Sequence, residues 1–217
     1  MDNHNIALYC LGDIVNMIFM PDSQRRADHQ ILPLILNRWS PRAMTGESLD
    51  PEVLNSLFEA ARWAPSSYNN QPWRFIYARR ETPFFPKFID LLVEFNRQWA
   101  PKAAVLGVIC AHKTFEHNNK PSVTHAFDTG AAWENLCLEA NSRSLVAHGM
   151  EGFDYLKARE ALHIPEEYEV LAMFAVGKRS AKETLPPEIQ KREAPSPRKK
   201  IEEFAMEGVF RERSSKP

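Results

Sequence analysis

The stretch Ala64-Pro-Ser-Ser-Tyr-Asn-Asn-Gln-Pro-Trp-Arg-Phe75 lies between a helix pattern and a strand pattern. It packs two serine hydroxyls, three side-chain amides and a guanidinium into a dozen residues. Pro65 ends the preceding helix, so the hydroxyls and N–H groups of Ser66 and Ser67 fall on a turn where they can face a ligand. Asn69, Asn70 and Gln71 each offer a paired donor and acceptor, which suits a planar heterocycle with alternating C=O and N–H edges. Pro72 forces an extended exit. On the N-terminal side, Asp50 caps a helix, Pro51 takes its first position and Glu52 complements the dipole. Val53, Leu54, Leu57, Phe58 and Ala61 then keep one apolar face as far as Trp63. On the other side, Trp73–Ala78 is rich in aromatic and β-branched residues and reads as a strand.

Further upstream, Ala27–Trp39 carries apolar residues at Ile31, Leu34, Ile35 and Leu36, a short helix pattern weakened by Pro33. It ends in Arg38-Trp-Ser-Pro-Arg42. Two guanidiniums flanking a hydroxyl make a compact anion-recognition unit, because Arg forks bind phosphate or an anionic ring edge bidentately. Alone, the same five residues equally describe a solvated basic turn. Downstream, Phe84–Trp99 reads as one helix with Phe88, Leu91, Leu92 and Phe95 on a face. Ala103–Ala111 follows as a buried strand.

His112–His125 is short, polar and irregular, and the spacing of His112, His117 and His125 fits no metal-ligand pattern. Asp128-Thr-Gly130 matches the aspartic-protease triplet but enters a helix pattern (Phe127, Ala131, Ala132, Leu136, Ala140) and has no second copy. It is read as a helix feature whose small residues allow close packing. Ser144–Met150 is a brief strand, turned by Glu151-Gly-Phe-Asp154 into a helix capped by Asp154. At that turn Gly152 lets backbone approach a ligand. Tyr168–Gly177 is a further strand. Ser180–Lys200 is rich in Pro and charge and reads as an extended, unpacked arm, closed by Ile201–Phe210.

The run Pro-Ser-Ser-x-Asn-x-Gln-Pro-Trp resembles the signature loop of the nitroreductase family of FMN-dependent oxidoreductases. Arg38-x-Ser-x-Arg42 and Met150-Glu-Gly-Phe-Asp154 are similar to two further family segments, in the family's order, over about Leu36–Phe210. The resemblance implies an α+β fold with a central mixed β-sheet of four or five strands flanked by helices, built as an intertwined homodimer with two FMN sites at the interface. It places Arg38 and Ser40, with Arg198 and Lys200, at the phosphate, Arg42 at the N1 and O2 edge of the ring, and Trp39 within the same cofactor-binding segment. Pro65, Ser66, Ser67, Asn69 and Gln71 come from the partner, and the Glu151 and Gly152 backbone reaches flavin N5. Asn96 is either a helix cap or a flavin contact. No catalytic side chain beyond FMN is implied, apart from Arg42 stabilising the reduced ring.

The implied activity passes electrons from NAD(P)H through FMN to a nitroaromatic, quinone or activated alkene. The alternatives are a reductive dehalogenase or flavin-consuming relative, and a non-catalytic FMN-binding protein; the abbreviated segment over 112–125 leaves the substrate pocket more open than in relatives.

At 217 residues with 44% hydrophobic and 25% charged, the chain suits one domain with arms. The organisation expected is an N-terminal extension over 1–30, the FMN-binding domain over 31–180, and a C-terminal arm over 181–217 packing on the partner subunit. A formal net charge of −1 gives no general attraction to nucleic acid or membrane. The three cysteines, Cys10, Cys110 and Cys137, are far apart, which fits a reducing cytoplasm and neither a disulfide framework nor structural zinc. Ile6–Met20 is interrupted by Asp13 and Asn16 and is shorter than the ~20 residues of a membrane span. No dinucleotide-binding glycine motif occurs, so a nicotinamide would visit as a transient substrate.

Overall fold

The computed structural model describes residues 25–211, so most of the expected N-terminal extension and the last six residues lie outside the described part. Four strands form one sheet in the order β1 (Trp73–Arg79), β2 (Val105–His112), β4 (Tyr168–Lys178), β3 (Leu145–Met150). All three pairings are antiparallel, where the sequence reading expects a mixed sheet. Apolar periodicity identifies strands but not their direction, and the long connections here permit either.

Alternation within the central strands builds two cores. Leu106, Val108 and Cys110 of β2 face one side with Phe88, Leu91, Trp99 and Met173, while Val105 and Ile109 face the other with Leu57, Leu136, Phe174 and Val176. Two helices, α2 (Pro51–Arg62) and α5 (His125–Ser142), cover the second face. The first is started as its sequence dictates: Asp50 Oδ1 accepts the Glu52 N–H at 2.7 Å, Pro51 follows the cap, and Leu54, Leu57 and Ala61 are buried. A short α1 (Pro33–Asn37) rests on α5, where Asn141 Nδ2 donates to Leu34 O at 3.1 Å.

The expected helix over Phe84–Trp99 is broken into α3 (Phe85–Ile89) and α4 (Glu94–Arg97). Between them Leu92 bridges Phe153, Val93 is extended and donates its N–H to Gly152 O at 3.1 Å, and Asp154 N–H reaches Leu91 O. Strand-like pairing with the turn after β3 has replaced helical bonds. That turn leads into α6 (Tyr155–Ala161), capped by Asp154.

The stretch after β4 also departs from expectation. Lys182–Thr184 is a 3-10 turn, α7 spans Pro187–Gln190, and Leu185 and Ile189 are buried in the first core, so the arm packs as far as Glu193 before running out exposed. Two apolar residues four apart on a proline-started turn carry it into that core. Among the described residues no helix is long and apolar enough to cross a membrane, and no group of three or more His, Cys, Asp or Glu gathers as for a metal.

Candidate functional site

The signature loop is held in an unusual backbone shape by its own polar groups. Tyr68, Asn69 and Gln71 all have left-handed φ, near +50°, which costs about 1–2 kcal/mol per non-glycine residue. Ser66 Oγ accepts the Gln71 N–H at 3.0 Å, and Gln71 Nε2 donates to Asn69 Oδ1 at 3.1 Å. Ser67 gives its backbone N–H to Asp128 Oδ2 at 3.0 Å. Buried Asn70 donates to Thr114 O and accepts from Glu116 N–H, tying the loop to the 113–122 hairpin. Ser66, Ser67, Asn69 and Gln71 therefore form one closed turn after the exposed Pro65, with the Ser66 O–H still available to donate. Tyr68 is 82% exposed and stands edge-on to Phe115 at 5.6 Å.

Asp128 is thus more than a helix feature. Its carboxylate, 4% exposed in the first turn of α5, also accepts from Thr124 Oγ1 at 3.2 Å. Gly130, by contrast, is exposed with open space around it and plays no part in close packing. The three histidines diverge. His112 Nδ1 meets Thr114 O, His117 packs on Tyr68, and His125 bridges Ser122 O and the Glu169 carboxylate.

A second group assembles around Trp99. A bridge between Met44 and Arg179 and the Ser180 N–H to Ala43 O bond seat the Arg42 segment beside the end of β4. The Arg42 guanidinium then lies 5.8 Å from the Phe95 ring and 5.9 Å from Trp99. Glu193 Oε1 accepts both the Arg42 and Ala43 N–H groups, at 2.7 and 2.9 Å, and Oε2 lies 3.9 Å from Arg42 Nη1. Arg42 Nε is buried with no partner. Burial pushes the Arg42 pKa below its ordinary value; Glu193 opposes the shift and Arg192 adds to it.

Asn96 lies inside α4 and is not its cap: Nδ2 donates to Gly152 O at 3.0 Å and Oδ1 accepts from Trp99 Nε1 at 3.1 Å. The approach is so close that a Cβ on Gly152 would sit 2.7 Å from Asn96 Nδ2 and 2.9 Å from Val93 Cγ2. Glu151 is exposed beside it, and among the described residues its N–H and that of Gly152 find no acceptor.

A third group is basic. Arg38 Nη1 donates to Ser40 Oγ at 3.4 Å while Nε pairs with Glu134 Oε1 at 3.2 Å. Arg25, which sequence reading assigned to the extension, donates from Nη1 to Arg38 O at 2.7 Å and Leu36 O at 3.2 Å, and its Nε is buried without a partner. Burial lowers the Arg25 pKa, and repulsion from Arg198 and then Arg38 lowers it further. Arg198 itself only donates to the Pro197 and Ser196 carbonyls. Lys200 is exposed and gives its backbone N–H to Glu203 Oε1; Trp39 stacks under Arg179 at 5.3 Å. No local pattern in the sequence marks Arg25, since its partners are carbonyls of a separate segment.

Glu151 and Gly152 follow β3 at one edge of the sheet, with Asn96 bonded to Gly152 and Arg42 facing the same Trp99, whereas the signature loop enters β1 at the opposite edge. Three strand spacings, about 14 Å, separate those edges.

A family profile described as Nitroreductase family matches residues 35–98 and 88–178. A protein of Archaeoglobus fulgidus, named as an NADH dehydrogenase/NAD(P)H nitroreductase, is 30% identical over 154 residues, covering 68% of this chain and 84% of that one. Protein DrgA of Synechocystis is 28% identical over 159 residues, covering 61% and 75%. Among solved structures, one described as an oxidoreductase containing FMN superposes with a TM-score of 0.84 at 39% identity, over 89% of this chain and 99% of that one. A nitroreductase-type protein of Desulfovibrio desulfuricans, in complex with FMN, shares the fold at a TM-score of 0.65 and 23% identity, over 85% and 100%. The chain belongs to the nitroreductase family.

Proposed function

We propose that this protein is an FMN-dependent oxidoreductase working as a homodimer, taking electrons from NAD(P)H and passing them to a nitroaromatic, quinone or activated-alkene acceptor. The observation that carries this reading is the convergence of Arg42, Asn96 and Gly152 on Trp99, next along the chain to a basic group that has three guanidiniums and one carboxylate. The donor set suits the cofactor: buried, unpartnered Nε atoms of Arg25 and Arg42 call for anionic acceptors, one a phosphate and one a ring edge.

When bound, FMN supplies reversible two-electron chemistry; the chain supplies binding, orientation and charge. Arg38, Ser40, Arg198 and Lys200 would hold the phosphate, with Arg25 adding a further guanidinium and Trp39 belonging to the same segment. Arg42 would offset the negative charge that the ring gains on reduction. Asn96 and the Glu151–Gly152 backbone form the other wall. Pro65, Ser66, Ser67, Asn69 and Gln71 belong to the partner's half of each site, a reading supported by their position on the opposite sheet edge. The exposed apolar residues of the arm, Phe204 at 66% and Phe210 at 81%, would be covered in the same pairing. The names of the similar proteins support NAD(P)H as donor.

The short 113–122 hairpin favours one second reading, a flavin carrier without turnover. The test is the visible spectrum of the purified protein with its cofactor identified after release, followed by NADH and NADPH oxidation with a nitroaromatic and a quinone. A yellow protein that turns over is expected. A preparation still colourless after excess FMN overturns the reading, and yellow colour without turnover selects the carrier.

A further inference from the structure

His148 is a buried imidazole, 8% exposed, that the site as described leaves unused. It stands on β3 between Val146 and Met150, on the face turned to Trp99, and its ring centroid is 4.7 Å from that indole. Its Nδ1 lies 2.9 Å from Pro41 O. A carbonyl only accepts, so Nδ1 carries a proton and donates it to Pro41 O, and a ring held neutral keeps its one proton there. Consistent with this, burial holds the His148 pKa down at about 4, with nearby Arg42 acting the same way and the Pro41 and Ser40 backbone bonds opposing.

The bond spans a break in the architecture. Pro41 sits between Ser40 of the basic group and Arg42 of the Trp99 group, and β3 runs from His148 directly to Glu151 and Gly152. Trp99 closes the circuit, since its ring packs tilted against His148, faces Arg42 and donates to Asn96, which in turn donates to Gly152 O.

We propose that His148 is the positioning residue of this half-site: its Nδ1–H clamps the Ser40-Pro41-Arg42 segment to β3, fixing Arg42 relative to the Gly152 turn. The proposal rests on the flavin reading for its ligand, but not for its geometry.

The test compares wild-type, His148→Ala, His148→Asn and His148→Leu proteins. Oxidised FMN is titrated by fluorescence quenching, the midpoint potential of the bound flavin is measured by dye equilibration, and amide hydrogen exchange at Arg42 and Ala43 is followed in the apoprotein. His148→Ala is expected to weaken oxidised FMN about tenfold, the size of effect left by one unsatisfied buried acceptor, and to weaken reduced FMN further, so that the potential falls. His148→Asn restores both values, because its amide can donate to Pro41 O; His148→Leu fills the space without a donor and does not. Unchanged affinity and potential in His148→Ala, or equal rescue by Asn and Leu, overturns the clamp. If His148→Ala fails to fold, the Asn and Leu proteins decide by themselves. A wild type that takes up no FMN overturns the flavin reading instead, and the clamp then stands or falls on exchange: faster at Arg42 and Ala43 in the Leu protein supports it, unchanged rejects it.

Discussion

The backbone N–H of Ser67 donates to the carboxylate of Asp128 at 3.0 Å, across 61 positions of sequence. The first turn of α5 therefore holds the signature loop in its left-handed shape. Asp128→Ala leaves that N–H and the Thr124 hydroxyl without an acceptor, and should cost about 1–3 kcal/mol of stability in urea unfolding. Asp128→Asn keeps an acceptor oxygen and should lose less. Equal losses in the two would mean that packing, and not the bond, matters at this position.

Gly152→Ala should destabilise the fold by about 1–3 kcal/mol, because the new methyl overlaps the pinned Asn96 amide and Val93. Asn96 would have to release either Gly152 O or Trp99. Near-ultraviolet circular dichroism of the buried indole reads the change directly, and an unaltered signal with unaltered stability would show that the turn yields freely.

Stability should fall as the pH drops from 6.5 towards 4. His148 is neutral in the native state down to about pH 4, whereas in the unfolded chain it takes up a proton below its ordinary value of 6.5. The unfolded state thus binds more protons in that window, and stability is lost on acidification, up to about 3 kcal/mol. Arg42, its partner Glu193 and Arg192 are the charged groups facing this region. Thermal unfolding of wild type and His148→Asn between pH 7 and 4.5 checks this: the variant should show the shallower decline.

Glu193→Ala should release the arm. Its Oε1 takes two backbone N–H groups at once, so losing it costs about 2–3 kcal/mol and exposes the 181–193 segment to limited proteolysis. Glu193→Gln retains an acceptor and should stay resistant. Cleavage of both proteins at the same rate would show that Leu185 and Ile189 alone dock the arm.

Arg25→Ala should lower the preference for FMN over riboflavin about tenfold, if its guanidinium meets the phosphate group. Riboflavin affinity is the control, since it lacks the phosphate. A matching loss for both flavins would place Arg25 as a support of the Leu36–Arg38 backbone only.

What could be read in advance was local. Asp50-Pro-Glu starts a helix wherever it is placed, and Leu54, Leu57 and Ala61 face the core because they are spaced to do so. The order of the three motif segments was legible only through their resemblance to a family, and the family match over residues 35–98 and 88–178 agrees with that resemblance. The break at Leu92–Val93 was not, since it is imposed by the Gly152 turn some sixty residues away. Nor was the role of Arg25, whose partners are two carbonyls, or of Asp128, whose partner is a remote N–H. Strand direction was hidden because alternation is the same either way.

In the homodimer proposed above, the signature loop and Arg42 of one chain serve different sites, which has a consequence for mixtures. A chain crippled only in the Ser66–Gln71 loop and a chain crippled only at Arg42 carry lesions that do not overlap. Hybrids of the two would reunite an undamaged loop with an undamaged Arg42 at one of their two sites and concentrate both faults at the other. Two inactive preparations, unfolded and refolded together, would then regain turnover, a form of complementation closed to any enzyme whose site lies within a single chain.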